Sequence, residues 1–300
     1  MTPMHNATGP APEPVPLRPG RKLGPIASTV GSAHRAWLTP TREHYLLSGR
    51  TLADLSARVL AKSKLSELLR GVGHYPRWEV IHRLAEELNI PTWPLHRLWK
   101  QAAMDAGKSR DWVDRSTAGR LAVTTQIGPP IEHGALRSMV EDGYRRYAGV
   151  FLTDTVLDAA VEETFAILWL SFDDALASPD IRRYAWNILS ATVKAKADHR
   201  DQRPVLADAA FDTAALHAQD SFDHQAAQLA ESLEMFAAIS KLPLTQLDVM
   251  VLRRLCGFTT EKVSDLLGIP LALVRSSERH ADRFLADTVE PPAHTGGTTS

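Results

Sequence analysis

Apolar residues in this chain return three and four positions apart over long stretches, while alternating runs enriched in Thr, Val and Ile are nearly absent. That period places the apolar residues on one helical face, so the sequence predicts an all-α fold. The 300 residues, 44% hydrophobic and 23% charged, have ordinary globular composition and suffice for two or three small domains. Cys256 is the only cysteine, which excludes an internal disulfide framework and a cysteine-built zinc cage and fits a reducing cytoplasm. No uninterrupted apolar run is long enough for a membrane span, and the proline-rich N-terminus lacks the apolar centre of a signal peptide.

Charge is divided unevenly. Residues 1–130 carry 18 Lys and Arg against 10 Asp and Glu, whereas residues 131–300 carry 16 against 25. A basic front half suits a polyanion such as nucleic acid; an acidic back half suits a basic protein partner or a solvated surface. Six prolines fall in the first twenty residues, with almost no large apolar side chains, so residues 1–32 read as a disordered leader. Three helical modules follow, at 33–106, 135–203 and 227–287. The segments 107–134 and 204–226 read as linkers, and 288–300 as a disordered tail.

In the third module, Thr259 or Thr260 can cap a short helix whose inward face is Val263, Leu266 and Leu267, and Gly268 can end it. Pro270 then opens a second helix that buries Leu271, Val274 and Ala281 and exposes Arg275, Ser276, Arg279 and Arg283. A short supporting helix followed by an exposed basic helix has the geometry that enters a DNA major groove, or is simply a helical hairpin with a solvated face. From Leu242-Pro243 through Gln246, Val249, Leu252, Gly257, Leu267-Gly268, Pro270 and Val274-Arg275-Ser276 to Leu285, the segment resembles region 4 of bacterial sigma factors of the extracytoplasmic-function type. The resemblance implies recognition of a promoter's minus-thirty-five element and contact with the polymerase flap. Ser277, His280 and Asp282 stand where that family commonly carries arginines.

In the second module Leu157, Val161, Phe165, Leu168 and Phe172 form one helical stripe, with Asp158, Glu162 and Glu163 away from its centre. This pattern predicts a core helix with an acidic outer side. The segment Asp158–Trp169 resembles region 2.2 of the same sigma family, and Tyr144, Tyr147 and Phe151 fit that family's preceding helix. The resemblance implies that Asp158, Glu162 and Glu163 dock on the clamp helices of core RNA polymerase. Downstream, Ile181–Ile188 resembles the start of the strand-opening helix. Tyr184 and Trp186 are then candidates for stacking on unpaired bases, or for core packing. Lys194, Lys196, His199, Arg200 and Arg203 are candidates for following a single-stranded backbone.

In the first module Leu52, Leu55, Val59, Leu65, Leu68 and Leu69 can pack two short helices, leaving Lys62, Ser63, Lys64, Ser66 and Arg70 exposed before Gly71. An amphipathic helix from Trp78 to Leu88 follows, ended by Ile90-Pro91. The arrangement resembles a Cro/cI-type (XRE) helix-turn-helix domain, which implies a second DNA-binding surface; a basic packing domain is the alternative.

No metal-protease, Walker, nucleophile-elbow or dinucleotide fingerprint is present, and the twelve histidines show no metal-ligand spacing. Cys256, at an apolar helix end, reads as core rather than nucleophile. The expectation is therefore a cytoplasmic transcription factor, not an enzyme, with no cofactor or metal and no membrane attachment. Its partners would be promoter DNA and core RNA polymerase, with an anti-sigma or other regulatory protein as a further one. The alternatives are a regulator that keeps a sigma-like scaffold without initiating transcription, and a ligand-sensing repressor with an apolar pocket.

Overall fold

The helical period is realised throughout the computed structural model, which describes residues 23–118, 128–206 and 238–288. The leader before residue 23, the tail from 289 and most of the second linker lie outside the described residues. Among those described the fold is all-α, the sole sheet being a hairpin of β1 (His199–Arg200) and β2 (Arg203–Pro204). No helix among them is long and apolar enough to cross a membrane.

The front of the chain forms α1 (Ser32–Leu47), α2 (Leu52–Ser56), α3 (Lys62–Leu69), α4 (Trp78–Leu88), α5 (Thr92–Asp105) and α6 (Arg110–Thr117). Thr51 and Asp54 cap α2 reciprocally, each side chain bonding the other's backbone amide. The left-handed Asn89 closes α4. Leu55, Leu65, Leu69, Trp37, Trp78 and Trp99 are fully buried in a first core. Two boundaries shift. Residues expected in the leader join this core, with Val30 buried and Leu23, Ile26 and Ala27 packed against it. The segment expected as a linker contains α6, capped by the Ser109 side chain on the Trp112 amide, with Val113 buried.

The middle forms α7 (Ile131–Gly149), α8 (Asp154–Leu170), α9 (Phe172–Ala177) and α10 (Ile181–Lys196). The expected continuous stripe breaks at Ser171, so Phe172 opens α9 instead of closing α8. The back forms α11 (Leu244–Met250), a wide π turn at Val251–Leu255, α12 (Thr260–Leu267) and α13 (Leu271–Thr288).

Three modules were expected; the buried residues form two cores. Middle and back share one, in which Tyr144, Phe165, Trp186 and Leu189 pack with Leu247, Val251, Leu266 and Val274. Gly143 lets α7 approach α12, since a Cβ there would meet Leu266 Cδ2 at 2.6 Å. The front core is closed by Ala166 and Leu170 of α8, with Ile167 packed against it. Helix α8 thus has Val161, Phe165 and Leu168 in one core and Ala166 and Leu170 in the other.

Candidate nucleic-acid interface

Local chemistry builds the C-terminal helix-turn-helix. The Thr259 side chain accepts from the Lys262 amide at 3.2 Å, and Val263, Leu266 and Leu267 are buried. Gly268 adopts φ 59°, which a side chain would resist, and ends α12. Ser264 Oγ donates to the Ile269 carbonyl at 2.6 Å and fixes the turn. Val274 and Ala281 then anchor α13 in the core.

Arg275, Arg279 and Arg283 lie four apart on one exposed side of α13, with Ser276 half-buried beside them. Glu278 and Asp282 of this helix are tied back to the π turn. Arg253 Nε donates to Glu278 Oε1 at 3.1 Å, and Arg254 Nη2 to Asp282 Oδ1 at 3.2 Å. The three arginines make no ion pair among the described residues, so the row keeps its positive charge toward solvent.

The front helix-turn-helix is α2 and α3. Lys62, Ser63 and Lys64 are exposed at the start of α3, though Lys64 pairs with Glu67 at 2.9 Å. Ser66 and Arg70 are only half-exposed, with Arg70 Nε donating to the Ser66 carbonyl at 3.3 Å. Nearby, Arg50 and Arg58 both bind Glu87, whose carboxyl they hold below its ordinary range. The excess positive charge of the front half is therefore partly neutralised within the chain.

Of the residues expected on a strand-opening surface, Trp186, Lys194 and Lys196 are engaged inside the fold. Trp186 is buried and donates Nε1–H to Asp248 Oδ2 at 3.3 Å. Lys194 is largely buried, with Nζ 2.7 Å from Asp248 Oδ1, and Lys196 is 2.8 Å from the buried Glu163. Tyr184 is half-buried against the core, and burial raises its phenol. Arg200 and His199 remain exposed on the hairpin, while Arg203 donates to the Lys241 carbonyl. Trp186 and Lys194 face inward because the back of the chain, through Asp248, packs on α10.

The acidic side of α8 is likewise corrected. Glu163 points into the protein toward Lys196. Glu162 lies between Arg97 Nη1, at 2.9 Å, and Arg137, so it joins the front of the chain to the middle. Asp158 stays exposed, paired with Arg145. An anionic docking face is thus reduced to Asp158, because α8 lies between two cores.

Asp248 was missed. It accepts from Tyr147 Oη at 2.7 Å, Trp186 Nε1, Ser190 Oγ at 3.1 Å and Lys194 Nζ, joining α11 to α7 and α10. Its signal was a carboxylate inside the apolar run Leu247–Leu252, which points to a buried partner. The Tyr147 phenol is raised, first by burial and then by Asp248. Burial pushes the Cys256 thiol up to about 12, keeping it protonated at neutral pH. No group of three His, Cys, Asp or Glu among the described residues can hold a metal ion.

Comparison with protein-family models, with curated proteins and with solved structures returns no match.

Proposed function

We propose that this protein is a cytoplasmic DNA-binding transcription regulator on a sigma-like scaffold, with α13 as its groove-reading helix. The single observation that carries the reading is the row Arg275, Arg279 and Arg283, exposed on the second helix of a helix-turn-helix, with Glu278 and Asp282 of that helix paired to Arg253 and Arg254. Such a row can neutralise phosphates while residues near the helix start reach base edges. The start of α3, with Lys62 and Ser63, supplies a second and weaker basic surface.

Two forms of this reading differ in what α8 does. A factor that recruits core RNA polymerase to promoters and opens them would need free Glu162 and Glu163 and accessible Trp186 and Lys194. All four are engaged inside the fold, which favours a regulator that binds duplex DNA without opening it. In that form the chain is not retained by core polymerase; co-purification of the two would restore the initiating form.

The DNA reading is tested by selecting duplexes from a random pool and measuring their affinity across salt concentrations. Arg275→Ala and Arg279→Ala should each weaken binding and lower the salt slope by about one. An unchanged slope in the double variant, with its melting temperature intact, rejects α13 as the DNA-facing helix.

A further inference from the structure

Where the two cores meet, α5, α7 and α8 enclose a cleft of about 440 Å³, within the size range of small-molecule sites. Its walls include Trp93, Trp169 and Phe165, with Arg97, Arg137, Glu162 and His133 as polar groups. The Trp93 and Trp169 rings stand 5.5 Å apart at a 34° tilt, in contact with each other and too close to admit a third ring between them. Trp93 is left 44% exposed, an uncovered indole beside a concavity.

The two arginines differ. Arg137 is engaged twice by Glu141, at 2.9 and 3.0 Å, and again by Glu162, while its guanidinium lies 4.7 Å from the Phe165 ring centre. Arg97 makes one bond, through Nη1 to Glu162, and lies 5.8 Å from the Trp93 ring centre. Among the described residues, four of its five N–H donors have no partner. His133 is 3% exposed; Nε2 bonds the Phe165 carbonyl at 3.0 Å, so Nε2 carries the hydrogen and the buried Nδ1 is an acceptor without a partner among the described residues.

From this geometry we propose that the cleft binds a small planar aromatic acid, its ring against Trp93 and Trp169 and its anionic group on Arg97. An aromatic face supplies the apolar contact, and Arg97, less engaged than Arg137, supplies the cation. The inference does not rest on the DNA reading, because it is tested without DNA.

The probes are indole-3-carboxylate and salicylate, with uncharged indole as control, titrated into the full-length protein while the tryptophan side-chain N–H signals are followed by two-dimensional NMR. Trp93→Phe and Trp169→Phe assign the two signals. Both acids should move these signals and leave those of the buried Trp37 and Trp78 in place. Arg97→Ala should weaken the acids at least about tenfold and leave indole unchanged. Absence of movement at Trp93 and Trp169 up to millimolar probe overturns the site. Equal binding of acid and indole, unaltered by Arg97→Ala, overturns the assignment to acids.

Discussion

A buried carboxylate with four donors is held by its surroundings as much as it holds them. Asp248→Ala would leave the Lys194 ammonium largely buried without a counter-charge, a loss of about 3–5 kcal/mol for such pairs. Lys194→Met added to Asp248→Ala should recover much of that loss, measured as the urea midpoint of the full chain. Recovery by the second substitution separates uncompensated charge from lost packing. His34 and His96 act in the opposite sense, since burial first, then the nearby Arg35 and Lys100 charges, lower both from 6.5 to about 4. Between these values the unfolded chain takes up protons that the folded chain refuses. Their contribution is complete above pH 6.5 and is lost as pH falls toward about 4. His96→Phe should therefore shed less stability than the parent chain between pH 7 and 4.5, again read as urea midpoints. These residue-level features were hidden in the sequence, because a histidine's burial and an aspartate's donors are set by residues distant in the chain.

Elements were more legible than contacts. The C-terminal helix-turn-helix could be read from Thr259, Gly268 and Pro270, because caps and stops act within a few residues. Its docking could not. Gly268 meets the first turn of α10 so closely that a Cβ would lie 2.7 Å from Asp180 Oδ1 and against the Arg183 backbone. Gly268→Ala should thus carry both the left-handed backbone penalty and a clash, lowering stability by about 1 kcal/mol from the backbone alone. A thermal melt equal to that of the parent would show that α12 and α10 are not in contact there. Helix α8 misled for a different reason. The stripe Leu157, Val161, Phe165 and Leu168 suggested one buried side, yet Ala160, Ala166, Ile167 and Leu170 make the helix apolar around much of its circumference. Such a helix belongs inside a fold, which is why Glu162 and Glu163 became internal partners. Short α6 escaped notice because glycines on either side of it looked like linker sequence.

At the scale of the whole molecule, the all-α architecture was readable from periodicity, whereas the merging of middle and back was not. The charge division of the sequence survives only in part. The front half's cations are partly paired with local acids, and Arg97 crosses to Glu162. Arg275, Arg279 and Arg283 of α13 and Lys62 of α3 are among the cations that remain outward. Helix α8 has a further consequence for a chain that has been cut. Severed within residues 119–127, the two fragments would each retain half of a junction sealed by Leu170, Ala166 and the Arg97–Glu162 pair. Co-expressed, they should reassemble into a stoichiometric complex that elutes like the unbroken protein on gel filtration; Leu170→Asp in the rear fragment should prevent reassembly. A backbone break there would then be tolerated, and the seam along α8 would act as a non-covalent hinge pin between separately made halves.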